Sequence, residues 1–286
     1  MSNYIFATMI LAFAPLLAAA AGPTTHPSTE SEGAWVEPMR KVHAKFTGKP
    51  GTLAHFGDSI TVSLAYWAPL RWSQKNLDPA GKQAYEVVNA YMLKDCWDKW
   101  RGPSYGNEGG MTIRWARENV DGWLKELNPE VALIMFGTND IGQLKLDEYQ
   151  AKTREVVQRC LDNGTIVILS TIPPRSGRLE QSRQFADAVT KTGRDMKVPV
   201  VDYFEECLKR RPDDWDGTLA KFKSAPGDVY QVPTLISRDG VHPSNPKGTA
   251  GDFSEEALSQ NGFGLRTYLT LRAYADVIQS VLKRPG

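Results

Sequence analysis

The sequence predicts an α/β fold, and three observations carry that reading. Short apolar runs of strand length, Thr52–Phe56, Val131–Phe136, Thr165–Ser170 and Val198–Val201, recur along the chain. Longer segments of helical period separate them, the pattern of parallel strands joined by crossover helices. Small polar residues follow the first two runs at once, as Gly57-Asp58-Ser59 and Gly137-Thr138-Asn139-Asp140. In such sheets ligands bind beyond the carboxyl ends of the strands, where loops hand over to helix N-termini.

The helical segments in order are Ser63–Lys75, Thr112–Leu127, Leu146–Asn163, Leu179–Gly193 and Leu265–Leu282. In Thr112–Leu127, Ile113, Ala116, Val120, Trp123, Leu124 and Leu127 share one face, while Arg114, Arg117, Glu118 and Lys125 lie on the other. That stripe is what a helix covering a sheet requires. No repeat or second linker interrupts the body, so residues 34–286 read as one domain.

The chain carries 34 Lys+Arg against 33 Asp+Glu. Without a positive excess there is no field to hold a phosphate backbone, so nucleic acid is not an expected partner. Cys96, Cys160 and Cys207 are far apart and have no metal-ligand spacing, so no zinc cluster or disulfide framework is encoded and at most one bridge could form. Residues 1–21 read as a signal peptide: an uncharged apolar run from Tyr4 ends in Ala18-Ala19-Ala20-Ala21-Gly22, although Met1-Ser2-Asn3 lacks the usual Lys or Arg. Secretion or a periplasmic location is expected. Because about 18 apolar residues also reach the lower limit for a span, a membrane anchor is the alternative, and contact with a membrane is expected only if the run stays uncleaved. Residues 22–33, rich in Thr, Ser, Pro and Glu, read as a solvated linker.

Ser59 follows an apolar strand directly, after a glycine that permits a tight turn and before a helical pattern. Its hydroxyl and its N–H would both sit at the sheet edge, close to a positive helix end. A simple helix-capping serine has the same signature. His242 lies in Arg238-Asp239-Gly240-Val241-His242-Pro243, where a glycine turn lets Asp239 fold back on one ring nitrogen and leaves the other for a nucleophile. A local turn-stabilising bond is the plainer reading of that spacing. His26, His43 and His55 lie in the linker, a charged helical stretch and the first strand. Donors for a developing oxyanion are available at Asn139 and at Gly109-Gly110, where no Cβ blocks close approach. Gly102-Pro103-Ser104-Tyr105-Gly106 matches a G-x-S-x-G elbow, but a charged segment precedes it instead of the buried strand an elbow needs.

Taken in order, Gly57-Asp58-Ser59-Ile60, Gly109-Gly110, Gly137-Thr138-Asn139-Asp140 and Asp239-Gly240-Val241-His242-Pro243 resemble the four blocks of the SGNH hydrolases, also called the GDSL family. The resemblance implies a three-layer α/β/α sandwich around a mostly parallel, flavodoxin-like sheet. It implies Ser59 as nucleophile, His242 as base and Asp239 as its orienting partner. It further implies an oxyanion hole of the Ser59 and Gly110 N–H groups and the Asn139 side chain, although the glycine register could slip to Gly109. Asp58 would support the loop. Ile60 replaces the commoner Leu, a near-isosteric change.

The expected activity is a serine esterase acting through an acyl-enzyme, with no cofactor or metal. Its expected partner is a small-molecule or polysaccharide ester, acetyl esters of carbohydrate above all. Two long excursions, Asn76–Tyr105 with Trp97, Trp100 and Tyr105, and Arg210–Ser237 with Trp215 and Tyr230, are expected to shape the substrate site. Core packing is the plainer role for each of these aromatics. Lipase, lysophospholipase and acyltransferase activities are alternatives within the family, and a secreted carbohydrate-binding protein without turnover is the non-enzymatic one. Acyl length, alcohol and oligomeric state are not encoded legibly.

Overall fold

The computed structural model describes Met1 and residues 33–283, so the expected signal peptide beyond Met1, and the linker before Gly33, lie outside the described residues. Helix α1 (Val36–His43) precedes the first strand, β1 (Leu53–Gly57), which passes directly into the single turn α2 (Ser59–Val62). Then follow α3 (Pro79–Tyr91), α4 (Ile113–Leu127), β2 (Val131–Met135), α5 (Leu146–Asp162), β3 (Ile166–Ser170), α6 (Leu179–Met196), β4 (Val200–Val201) and α7 (Tyr203–Arg210). After a long irregular stretch the chain ends in α8 (Glu255–Gln260) and α9 (Gly262–Val277), the latter continued by a π turn over Ile278–Leu282.

The four strands pair in parallel in the order β1-β2-β3-β4, with Leu53 opposite Val131, Val131 opposite Ile166 and Leu169 opposite Val200. Every residue of β1, β2 and β3 is buried, which explains why these strands read as continuous apolar runs without alternation: both faces are covered. Neighbours along β1 show the two layers. Phe56 meets Trp123 of α4, with ring centroids 4.9 Å apart. His55 faces the other way, bonding Tyr66 Oη at 3.0 Å, which in turn reaches Thr270 of α9 at 3.1 Å. Helices α4, α5 and α6 pack side by side in one layer, and α3 packs on α9 in the other.

The helix expected over Ser63–Lys75 does not form. The chain leaves helical geometry at Ser63 (ψ 132°), takes a left-handed turn at Trp67 (φ 64°), and continues as a short 3-10 turn over Ala68–Arg71. Tyr66, Trp67 and Leu70 are buried while Leu64 and Trp72 are exposed, so no single apolar stripe of helical period forms here. The Arg101 guanidinium also binds the carbonyls of Val62, Ser63 and Tyr66 at 2.8 to 2.9 Å, acceptors that a helix would have used internally. The Asn76–Tyr105 excursion contains the helix α3, begun by Asp78, whose side chain accepts from Gly81 N–H at 2.7 Å. Cys96, Cys160 and Cys207 are buried and unpaired. No helix of the described residues is long and apolar enough to cross a membrane.

Candidate active site

The turn out of β1 is dictated by Gly57. A Cβ there would lie 2.1 Å from Thr61 Oγ1 and 2.8 Å from the Met135 carbonyl, so only glycine lets the strand end beside β2 and coil at once. Asp58 caps the coil by accepting from Ile60 N–H at 3.0 Å. Ser59 is thereby the first residue of α2, and its N–H has no partner among the described residues. From beneath, the buried Arg266 of α9 donates to the Ile60 carbonyl and to Thr61 Oγ1, both at 3.0 Å, with its guanidinium 3.8 Å from the Tyr66 ring centroid.

Ser59 Oγ lies 2.9 Å from His242 Nε2, although 183 positions separate them in sequence. On the far side of the ring, His242 Nδ1 lies 2.7 Å from Asp239 Oδ2. The other carboxylate oxygen, Oδ1, accepts from Val241 N–H (2.8 Å), His242 N–H (2.9 Å) and the Ser237 hydroxyl (2.8 Å). Gly240 turns this loop at φ +73°, and the Ser237 N–H closes it on the His242 carbonyl at 2.8 Å.

Electrostatics follow from these contacts. The Asp239 hydrogen bond raises the His242 ring above its usual value, against the opposing effect of burial. Burial pushes the Asp239 carboxyl up, but its bonds from His242, Val241 and Ser237 outweigh that and hold it well below the usual carboxylate range. Burial raises Asp58 to about 6, and Asp140 to about 7 with the Asp58 charge adding to the rise; the Ile60 and Ile113 N–H groups oppose these shifts respectively.

Of the two glycines before α4, Gly109 has its N–H bound to Glu108 Oε1 at 2.9 Å, whereas the Gly110 N–H has no partner among the described residues. Gly110 adopts φ +77° with nothing within 4 Å of an added Cβ, so it faces open space. Asn139 Nδ2 donates to the Met111 carbonyl at 3.0 Å and lies 3.5 Å from Asp58 Oδ2. Asp140 accepts from Ile113 N–H at 2.9 Å, supplying the cap of α4 that Thr112 does not. All four sequence blocks therefore meet at one end of the sheet, with the three donor segments stitched together by side chains.

A cavity of about 370 Å³ opens beside Ser59 and His242, lined also by Ser63, Ala65, Asp228, Tyr230, Gln231, Asn245 and Phe263. The Tyr230 ring stands edge-on to the His242 imidazole at 5.9 Å. The Arg210–Ser237 excursion thus reaches the cavity, as expected, through Asp228, Tyr230 and Gln231, while Trp215 is buried. The other excursion departs from expectation. Trp97 is buried and stacks on Trp67 at 5.2 Å, and neither Trp100 nor Tyr105 lines the cavity. Ser104 lies exposed in a 3-10 turn over Pro103–Tyr105, with no strand leading into it. His43 bonds Glu130 at 2.9 Å and His55 is buried in the sheet, so both are accounted for structurally.

Sequence reading placed Asp140 in its block without giving it a role, and passed over Arg266. The first had a signal, an acid immediately after Asn139; the second had only a faint one, a lone charge within an otherwise apolar helix pattern.

Among curated proteins, none matches the chain significantly. Solved structures similar to it include a lipase/acylhydrolase from Enterococcus faecalis (15% identity, TM-score 0.48, covering 78% of this chain and 94% of that one). Another is a catalytic mutant of an acetylxylan esterase from Geobacillus stearothermophilus (17% identity, TM-score 0.47, 82% and 96%). A third is a GDSL-like lipase from Bacteroides thetaiotaomicron (15% identity, TM-score 0.46, 88% and 98%). The profile of the GDSL-like lipase/acylhydrolase family matches residues 55–246, a span running from within β1, just before the Ser59 turn, to just beyond His242. The chain belongs to that family, within the SGNH hydrolases, and is an ester-hydrolysing enzyme.

Proposed function

We propose that this enzyme is a secreted serine esterase that removes acetyl groups from carbohydrate through an acyl-enzyme. The observation that carries the mechanism is the unbroken relay from Ser59 Oγ to His242 Nε2 (2.9 Å) and from His242 Nδ1 to Asp239 Oδ2 (2.7 Å). In this reading His242 takes the Ser59 proton as the hydroxyl attacks the ester carbonyl, then returns it to the departing alcohol. Water retraces the same path to release the acid. The Ser59 and Gly110 N–H groups and the loosely held second hydrogen of Asn139 Nδ2 stabilise the oxyanion. Tyr149 Oη, bonded to the Phe136 carbonyl at 2.8 Å, steadies the strand end that carries Asn139.

The carbohydrate reading is supported by the cavity, where Asp228, Gln231 and Asn245 offer hydrogen-bonding groups and Tyr230 an apolar ring. A long-chain lipid would meet too many polar groups there. Export rests on the apolar run before Ala21. Hydrolysis of p-nitrophenyl acetate by the wild type and by Ser59→Ala is the test. Turnover is expected only with the wild type, and equal rates would overturn the assignment. Acetate release from acetylated oligosaccharides then separates carbohydrate from aryl and lipid esters.

A further inference from the structure

The loop after β3, Pro173-Pro174-Arg175-Ser176, closes a seam between the two halves of the site. Arg175 Nη1 donates to the carbonyl of Thr138, the residue before Asn139, at 2.9 Å. The next residue, Ser176, donates its N–H to the Gly240 carbonyl at 2.8 Å, within the turn that holds Asp239 and His242. Arg178 follows, with its guanidinium against Gly142: a Cβ added there would lie 3.4 Å from Arg178 Nη1. Two guanidinium groups therefore flank the seam on a partly exposed ledge.

Neither forms an ion pair with a carboxylate among the described residues. Several other surface arginines do, as in Arg114–Glu148, Arg117–Glu155 and Arg154–Asp195, whereas Arg238 binds only the carbonyls of Ala225, Gly227 and Asp228. Arg175 has only the Thr138 carbonyl, and Arg178 only the Gln181 side-chain oxygen, so Nε and Nη2 of both lack hydrogen-bond partners among the described residues. Among the described residues the acid whose charge acts on Arg175 is Asp239, and its two oxygens already hold four donors. Arg175 is electrically coupled to the relay: its charge opposes protonation of His242, while the Asp239 charge favours its own. Two like charges placed together, with the neighbouring Asp239 already committed to His242, cost free energy, and an anion between them lowers that cost.

We infer that Arg175 and Arg178 form a subsite for a carboxylate carried by the substrate, so that the preferred esters are acetylated acidic oligosaccharides. This inference rests on the esterase assignment above. A planar guanidinium with two free N–H groups matches a carboxylate bidentately, which a neutral sugar cannot exploit. The charge also draws an anionic chain toward the relay, an effect that weakens as salt rises.

The test compares acetate release from an acetylated oligogalacturonate with release from the same oligomer after methyl esterification of its carboxylates. The sugar and acetyl groups are unchanged between the two probes, and each carboxylate becomes a neutral methyl ester. In the wild type kcat/KM should be about tenfold higher or more for the acidic form, and that preference should shrink with salt. In Arg178→Gln and Arg175→Gln the ratio should fall toward one, with Arg175→Lys retaining part of it because the charge remains. Equal kcat/KM for the two forms in the wild type, or an acidic preference that both glutamine variants keep, overturns the subsite. p-Nitrophenyl acetate separates the levels of failure. Turnover of that ester without an acidic preference sinks only the subsite, whereas no turnover that depends on Ser59 sinks the esterase reading beneath it.

Discussion

Replacing Asp239 by Asn tests the relay more sharply than deleting it, because the structure dictates how the new amide must sit. Oδ1 of Asp239 receives three donors, from Val241 N–H, His242 N–H and the Ser237 hydroxyl. Only an oxygen can occupy that place, so in Asp239→Asn the NH2 group must take the place of Oδ2, 2.7 Å from His242 Nδ1. There it donates to the ring, which forces Nδ1 to be the acceptor and Nε2 to carry the hydrogen. A ring in that tautomer cannot take the Ser59 proton. Flipping the amide would break three hydrogen bonds of about 1 kcal/mol each, so the wrong tautomer is held. The expected loss in kcat is about 10⁴-fold, on the order of 5 kcal/mol of transition-state stabilisation. The variant also loses the largest influence raising the His242 ring, so the acid limb of the pH–rate profile should move to lower pH. The assay is kcat for p-nitrophenyl acetate across pH, with nitrogen-15 NMR of the histidine ring reporting the tautomer. Retention of kcat within tenfold of the wild type, with an unmoved acid limb, would refute the reasoning.

Asn139→Ala should lower kcat by roughly a hundredfold or more, the usual cost of losing one oxyanion donor, and steady-state kinetics showing undiminished turnover would remove Asn139 from the hole. Burial raises Asp140 to about 7, so the folded state binds this proton more tightly than the unfolded chain does. Its contribution favours folding below about pH 4 and is lost as pH climbs through about 7. Asp140→Asn keeps an oxygen for Ile113 N–H and should reduce the fall in Tm between pH 5 and pH 8; thermal melts with parallel pH dependence in both proteins would contradict this. Arg266→Met should cost about 2 to 3 kcal/mol in urea unfolding, because the Ile60 carbonyl loses its buried donor and the contact with Tyr66 disappears, offset in part by no longer burying a charge. A more stable variant would show that the arginine is not what secures the Ser59 turn.

Much of this site was legible because its chemistry requires particular residues at strand ends. Gly57 must be small for the chain to turn beside Met135, and Asp239 must precede His242 by a turn's length, so both leave marks in the sequence. The strands were legible to within two residues because burial on both faces demands uninterrupted apolar runs. The segment after Val62 was not, since its carbonyls are claimed by Arg101 from 35 to 39 positions away, and local pattern carries no trace of that. Helix α3 went unread despite a usable sign, Asp78 before Pro79 at a helix start. The open ledge at Arg175 and Arg178 depended on which arginines find carboxylates, a question of three-dimensional neighbours alone.

His242 and Asp239 are only three positions apart, while Ser59, the nucleophile in the proposed mechanism, comes from 183 positions upstream. Assembly of the reactive triplet therefore needs one distant meeting instead of two. Chain entropy penalises such a meeting only logarithmically, by about 0.6 kcal/mol for each doubling of the intervening length. Evolution is consequently free to lengthen or recast the connecting segments, and with them the preference for one ester over another, while the proton-transfer pair travels as a single ready-made cassette.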